Sequence, residues 1–220
     1  MTPKVTRMTE SSPSRAGSLP LIGSEIAFDF TNTASGRGHE SHQDHLRCGA
    51  DVVVWARHAR VLAPGDGDVA ARMLAADAGL ADRLLARALA LRETIHRTGT
   101  AIAAGGEPAA EDRDRLTAEH AACLTRARLT PHQGGFVWAW AAADGPAEAI
   151  LGPVTLSALT LLTQSDLSRI KQCQGEHCGW LFFDVTKNKS RRWCEMEVCG
   201  NRAKQKALRA RLRPRAEAVG

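Results

Sequence analysis

The clearest pattern of hydrophobic positions along the chain is helical and lies between residues 80 and 104. Apolar side chains recur there at the intervals expected for one face of an α-helix. They are Leu80, Leu84, Ala88, Leu91, Ile95 and Ile102. A Gly105-Gly106 pair follows, which is typical of a helix end. We therefore predict a long helix with one buried face.

Weaker helical patterns predict four further helices, over 51–62, 67–77, 108–124 and 153–164. Asp51 is placed to cap the first of these helices. Pro153 stands at a suitable first position for the last one, whose apolar composition predicts burial.

Two segments alternate with the period of two that is typical of strands. Apolar residues alternate with polar ones within 22–33, which predicts a half-buried strand. The segment GGFVWAW (134–140) is flanked by turn residues and predicts a strand pair or hairpin. Residues 1–20 are rich in Ser, Pro and Thr and are predicted to be a disordered leader. Residues 21–168 then form one mainly helical α+β domain with a small β-sheet.

Charge is distributed unevenly along the chain. Residues 1–168 carry 16 basic and 19 acidic side chains, whereas residues 169–220 carry 13 and 5, so the net charge of +5 combines −3 with +8. The basic quarter also holds four of the six cysteines. Such a segment favours an anionic partner, of which nucleic acid is the most common.

Cysteine usage points to a metal rather than to disulfides. The sequence shows no secretory signal and no run of 18 apolar residues, so we expect a cytoplasmic protein without membrane association. Stable disulfides are rare there. Cys173 and Cys178 form one pair, and Cys194 and Cys199 form a second pair with the same spacing. Two close thiolate pairs are typical of a tetrahedral zinc site.

One structural Zn²⁺ is therefore predicted, with the four thiolates filling its coordination sphere and leaving no position for catalysis. His177 adjoins Cys178 and is a surplus candidate ligand. Buried free thiols, a redox pair and an iron–sulfur cluster are the alternatives.

The segments around the cysteines predict a small zinc finger over 169–215. Alternating residues after Cys178 and a polar turn at 186–190 predict a β-hairpin that returns to Cys194. A helix is predicted over 200–212. The order knuckle, hairpin, knuckle, helix is the layout of a treble clef.

A dense set of residues here matches a known family pattern. The matching positions are Cys-Gly-Trp-Leu-Phe at 178–182, Asp184, Asn188, Ser-Arg-Arg-Trp-Cys at 190–194, Cys-Gly-Asn-Arg at 199–202 and Lys204. On these residues the segment resembles the CGNR zinc-finger family. That family usually has Ser-Met after the third cysteine, where this chain has Glu195-Met196.

Members of that family carry an N-terminal ABATE domain. The segment FDFTNT (28–33) and the tryptophan-bearing helix at 52–62 are similar to its opening. The resemblance implies a bacterial transcription regulator whose treble-clef finger contacts DNA and whose ABATE domain senses a small ligand.

Two groups of basic residues are candidate nucleic-acid contacts. The first group forms one face of the predicted C-terminal helix and consists of Arg202, Lys206, Arg209 and Arg213. The second lies on the predicted hairpin and consists of Lys187, Lys189, Arg191 and Arg192. One of the two adjacent arginines could instead neutralise the thiolates. Leu208 and Leu212 share another helix face, predicted to pack on the hairpin.

The N-terminal domain offers fewer candidates. Polar or aromatic residues on otherwise apolar elements, which could line a ligand pocket, are Asp29, Asn32, Arg92 and Trp138. Arg92 with Glu93 is alternatively a surface ion pair. The histidines within 39–45 have a spacing that suits neither a helix face nor a strand face, so a loop is favoured over a metal site.

The function favoured by the sequence is a DNA-binding regulator rather than an enzyme. No nucleophile–base pair, glycine-rich phosphate loop or paired carboxylates stand out. An RNA- or ribosome-associated module, and a small-molecule enzyme with a structural finger, are the alternatives. A homodimer is a further option, because two half-sites help a single short finger to reach useful specificity.

Overall fold

The computed structural model describes residues 14–212 of the chain. Seven α-helices lie within that range: α1 Ile26–Thr31, α2 Gly49–His58, α3 Asp66–Ala76, α4 Ala78–Ala103, α5 Ala110–Leu124, α6 Pro146–Gln164 and α7 Asn201–Leu212. Six short strands accompany them: β1 Ala34–Ser35, β2 Gln43–Asp44, β3 Arg128–His132, β4 Gly135–Ala139, β5 Ile170–Gln172 and β6 Leu181–Phe183. The predicted α+β class, with a mainly helical N-terminal part, is confirmed.

Helix α4 is the scaffold of the N-terminal part. It packs against α1, α2, α3, α5 and α6 around one hydrophobic core. The middle of its predicted apolar face is buried, at Leu84, Ala88, Leu91 and Ile95. The Asp77 side chain caps the helix by accepting a hydrogen bond from the backbone N–H of Leu80 at 3.0 Å. The predicted helices at 67–77 and 108–124 are also present, as α3 and α5.

The predicted strand at 22–33 is wrong, because residues 26–31 form α1. Phe28 and Phe30 are both buried although they lie two residues apart. Helix α1 is in contact with α4, α6 and β6, so alternate positions do not separate a solvent face from a core face. The Asp29 carboxylate fixes the segment before α1 by accepting a hydrogen bond from Gly23 N–H at 2.8 Å.

Residues 14–20 do not belong to a disordered leader. Ala16 and Leu19 are buried in this segment. The Ser14 hydroxyl donates to the carbonyl of His45 at 2.8 Å, and the ring of His58 donates to the carbonyl of Leu19 at 2.7 Å. These contacts with the loop after β2 and with helix α2 stabilise the segment despite its polar composition. Residues 1–13 of the predicted leader lie outside the described residues.

Helix α6 is longer than predicted. Pro146 occupies its first turn, and Pro153 lies inside the helix. Helix α6 has ten buried residues, and the free energy gained by their burial offsets the loss of the backbone hydrogen bond that Pro153 cannot donate. Within the described chain, α6 is long and apolar enough to cross a membrane, yet 56% of that apolar window is buried inside the protein.

The strands form three separate two-stranded antiparallel sheets. The predicted hairpin near residue 135 is confirmed as β3–β4, with Gln133 and Gly134 both at positive φ, as in a type I′ turn. One face of this hairpin is apolar and exposed, and it consists of Leu129, Pro131, Phe136 and Trp138.

The C-terminal strands pair differently from the prediction. Strand β6 pairs with β5, which precedes Cys173, so the first cysteine pair lies in the turn of the hairpin. The predicted return strand to Cys194 is wrong, and residues 184–193 form a loop. The β5–β6 hairpin packs on α4 at Gly99, where an added Cβ atom would lie 2.6 Å from the side chain of Leu181. The absence of a side chain at Gly99 therefore allows this close approach.

Candidate metal centre and nucleic-acid interface

The four paired cysteines converge at one point of the C-terminal segment. Cys173 and Cys178 come from the β5–β6 turn, and Cys194 and Cys199 come from the segment that enters α7. All four Sγ atoms lie within 4.8 Å of one another, and three of the four residues are buried. A single π-helical turn, Met196–Gly200, places the last cysteine at the start of α7.

The sulfur geometry fits a tetrahedral metal. The Sγ atom of Cys194 lies 3.6 Å from the Sγ atoms of Cys178 and Cys199. Zinc–sulfur bonds of about 2.3 Å in a tetrahedron place the sulfurs roughly 3.8 Å apart. Backbone N–H groups of Gly175 and Cys194 also donate to Cys173 Sγ, at 3.3 and 3.2 Å. The four residues thus form a closed site for one structural zinc ion.

Without a cation, the crowded sulfurs do not all ionise: hydrogen bonds with Cys178 and Cys194 lower the pKa of Cys173, at the expense of its neighbours. Hydrogen bonding with Cys173 raises the pKa of Cys178 to about 12, and contacts with Cys173 and Cys178 raise the pKa of Cys194 further. A divalent cation reverses this balance because it stabilises every thiolate that it binds. The site therefore needs its metal to hold four thiolates together at neutral pH.

The turn between the first two cysteines is tight. An added Cβ atom at Gly175 would lie 2.9 Å from Cys199 Sγ. His177 adopts a positive φ, and its ring stacks on the ring of His39 at 3.5 Å. His177 is not a member of the four-sulfur cluster.

Asp184 organises the loop that follows β6. Its fully buried carboxylate accepts hydrogen bonds from Lys171 Nζ at 2.7 Å, from the N–H and hydroxyl of Thr186 at 2.9 and 2.6 Å, and from Arg191 N–H at 2.9 Å. Burial alone would raise its pKa, but these bonds hold the pKa below its usual range. Asp184 is one of the family-pattern residues. Its hydrogen bonds stabilise the 184–193 loop without strand pairing.

Arg191 is a structural residue in this geometry. Its guanidinium lies 4.2 Å from the centre of the Phe182 ring and donates to the carbonyls of Ile22, Trp193 and Cys194. It therefore braces the metal loop against the N-terminal part of the chain.

The other predicted loop contacts are more accessible. Lys189 bonds to Asp166 at 2.6 Å, and Arg192 bonds to Gln174 at 2.8 Å. Lys187 is exposed, and the structure records no ion pair for it among the described residues.

Helix α7 carries the remaining predicted contacts. Arg202, Lys206 and Arg209 are exposed and fall on one side of the helix. Lys206 pairs with Glu176 at 2.7 Å. Arg213 lies outside the described residues. The predicted packing of Leu208 and Leu212 is wrong, since these side chains are 56% and 72% exposed.

The four predicted pocket residues do not converge on one pocket. The Asp29 carboxylate accepts a hydrogen bond from Gly23, and Trp138 lies on the exposed face of the β3–β4 hairpin. Arg92 is buried and makes a two-pronged ion pair with Asp44 at 2.7 and 2.6 Å. Asp29 and Arg92 therefore have separate local partners, whereas Trp138 is exposed on its hairpin.

Asn32 has a role that sequence reasoning missed. Its buried amide bonds to the backbone of Leu181 in β6 and so joins the N-terminal part to the metal module. A polar side chain inside the apolar FDFTNT segment was the available signal, but its partner is 149 positions away.

Comparison with known proteins agrees with this two-part organisation. Residues 169–212 match the CGNR zinc finger. Residues 24–165 match the ABATE family, which is described as "Putative stress-induced transcription regulator". A search among curated proteins finds no match. The order of the two matches, the helical N-terminal part and the four-cysteine centre together show that this chain belongs to the ABATE family and ends in a CGNR zinc finger.

Proposed function

We propose that the protein is a cytoplasmic transcription regulator that binds DNA through its zinc finger. The observation that carries this proposal is the composition and exposure of α7. The helix has five basic residues, no acidic residue and no buried residue. A helix that buries no side chain gains little stability from the protein core. Its positive surface suits the phosphates of nucleic acid.

The metal centre supports this role by fixing the start of α7. Cys199 is both a metal ligand and part of the π-helical turn that leads into the helix. The backbone N–H groups of Cys199 and Gly200 donate to the carbonyl of Glu195, which closes that turn. The zinc finger can thus present a helix without a hydrophobic core beneath it.

The side of α7 that carries Arg202, Lys206 and Arg209 is the proposed contact face. Lys204 and Arg211 lie on the opposite side of the helix, about half a turn away. Arginines on such a face can read guanine in the major groove or bind phosphates. Arg202 lies in the first turn, where recognition helices often meet base edges. Two copies on a two-fold symmetric site would raise specificity, so we propose a homodimer on DNA.

A salt titration tests the contact face. Each phosphate contact contributes about −0.9 to the slope of log K against log salt, so four contacts, including Arg213, give roughly −3.6. Alanine variants of Lys206 and Arg209 should each flatten the slope by about one unit. Lys204→Ala and Arg211→Ala are matched controls on the opposite side. Equal slopes for all variants, with zinc retained, would contradict the proposal.

Competition with structured RNA separates DNA binding from the RNA- or ribosome-associated alternative. Duplex DNA should displace labelled DNA at lower concentration than structured RNA does at the same salt concentration. Preferential displacement by RNA would instead favour the alternative. The two family descriptions name a regulator and a zinc finger, which supports a regulatory role over a catalytic one.

A further inference from the structure

A deep groove separates the N-terminal part of the chain from α7. It encloses about 1080 Å³, a size at the upper end for small-molecule sites. One wall consists of the 15–20 segment and the β1–β2 region, and the other consists of the cysteine turn and α7. Gly36 N–H donates to the carbonyl of Cys178 at 3.2 Å, so the two walls are joined. A molecule in this groove would contact both family modules.

His45 lies in the N-terminal wall, and its side chain has no hydrogen-bond partner among residues 14–212. The residue is 7% exposed, and its backbone is fixed by hydrogen bonds with Thr33 and Ser14. Its ring lines the groove, and no described residue hydrogen-bonds to either ring nitrogen. Burial and the nearby Arg15 charge lower its pKa, so the ring is neutral at physiological pH. Trp55 Nε1 and Thr98 Oγ1 are the buried side-chain polar atoms without a partner within 14–212, so the His45 nitrogens are accessible from the groove and can hydrogen-bond to a ligand there.

Charged residues line both walls of the groove. Arg15 lies beside His45, and Arg202 approaches from α7; the structure records no ion pair for either residue within 14–212. Lys206 and Glu176 neutralise each other at the finger wall. Glu195 lines that same wall, close to the metal thiolates. The N-terminal wall at Arg15 and His45 carries no carboxylate among the lining residues, so it is suited to an anionic group.

The groove is also lined by apolar side chains. Trp180 is half-buried and anchored by its indole N–H, which donates to the carbonyl of Ala34 at 3.2 Å. Leu19 and Val198 line the groove from opposite walls. Rigid aromatic and aliphatic walls with a few polar groups are typical of small-molecule sites.

We propose that this groove binds a small organic anion with an aromatic or aliphatic body. The anionic group bonds to Arg15 and His45, and the body packs against Trp180. The inference goes beyond the proposed DNA binding, since it gives the ABATE module a ligand class and a site. It depends on the groove alone, so its test uses no DNA.

The test is a fluorescence titration of the full chain with two matched dyes. 8-Anilino-1-naphthalenesulfonate carries the anion, and N-phenyl-1-naphthylamine is its uncharged counterpart. Arg15→Gln should weaken sulfonate binding by about tenfold, the value of a charge-assisted hydrogen bond, and leave the uncharged dye nearly unaffected. His45→Leu should weaken the sulfonate similarly. Thermal unfolding checks that each variant is folded. Arg15 is exposed, so the Arg15 variant still tests the proposal if the His45 variant does not fold.

Two control variants locate the dye. Arg211→Gln removes the same charge from the far side of α7 and should have no effect. Phe136→Ser removes apolar surface from the exposed β3–β4 hairpin, where a dye could also bind, and should have no effect either. Absence of sulfonate binding, unchanged affinity in Arg15→Gln, or loss of binding in Phe136→Ser would overturn the proposal. Failure of DNA binding would leave all of these outcomes unchanged.

Discussion

Asn32 and Leu181 lie 149 positions apart in the chain and exchange two hydrogen bonds. The Asn32 amide nitrogen donates to the Leu181 carbonyl at 2.9 Å, and its oxygen accepts from the Leu181 N–H at 3.0 Å. The side chain thus satisfies the backbone of β6 as a neighbouring strand would. This amide is one of several hydrogen-bonded links between the ABATE core and the zinc finger, and its two bonds are buried.

Asn32→Ala should destabilise the whole chain. The substitution leaves a buried N–H and a buried carbonyl of Leu181 without partners, at a cost of about 3 kcal/mol. Urea unfolding followed by circular dichroism measures this loss. Asn188→Ala, the same change at an exposed position, should alter stability by less than about 0.5 kcal/mol. Similar values for the two variants would show that the link contributes little.

Cys178→Ser should lower the zinc content from one ion per chain to a small fraction. Three thiolates and a hydroxyl bind zinc much more weakly than four thiolates, because the hydroxyl stays protonated. Hydrogen exchange should then increase in residues 173–212, whereas the core of α4 stays protected. Cys48→Ser, at an exposed cysteine outside the cluster, is the matched control. Full zinc retention in Cys178→Ser would contradict the assigned ligand set.

Asp29→Asn should stabilise the protein at pH 8 and much less at pH 5. Burial raises the pKa of Asp29 from 3.8 to about 6 in the folded chain. The folded state therefore favours the protonated carboxyl, and that contribution is present below pH 3.8 and lost as the pH rises through 6. The asparagine keeps the acceptor for Gly23 and carries no charge.

Thermal unfolding at the two pH values measures the effect of Asp29→Asn. The gain in Tm should be larger at pH 8, and Asp114→Asn, at an exposed carboxylate, should show no such trend. A gain that is equal at both pH values would argue against titration of Asp29 in this range.

Glu176→Gln should strengthen DNA binding if Lys206 contacts phosphate. Glu176 holds the Lys206 ammonium at 2.7 Å on the protein surface. Exposed pairs contribute about 0.2–1 kcal/mol, so releasing the lysine should tighten binding by about 1.4- to fivefold. Fluorescence anisotropy at fixed salt measures the change. The double variant with Lys206→Ala should lose this gain, and persistence of the gain there would exclude Lys206 as its source.

Local patterns in the sequence predicted the local features well. The spacing of the four cysteines located the metal site because its ligands lie in two short segments. The periodicity of residues 80–104 located α4 because one face of that helix meets a continuous core. In both cases the physical constraint acts over a few residues.

Features that depend on distant partners were not predicted. The alternation around Phe28 indicated a strand, yet α1 is enclosed by α4, α6 and β6, and the last two lie more than a hundred residues away. Arg191 was predicted as a DNA contact from its charge, but it lies over Phe182 and bonds to Ile22. A single sequence carries no record of which partner a charged side chain meets.

Strand β6 packs closely on α4 at Gly99, and the β5–β6 turn shares the metal centre with the start of α7. A movement of this hairpin on α4 would therefore tilt α7. The helix extends from the metal centre for 12 residues, which corresponds to a length of about 18 Å at 1.5 Å per residue. A tilt of about 10° at the metal end would move the far end by roughly 3 Å, close to the 3.4 Å spacing of successive bases along one strand. A small shift between α4 and the hairpin would therefore change the register of the far end by about one base step.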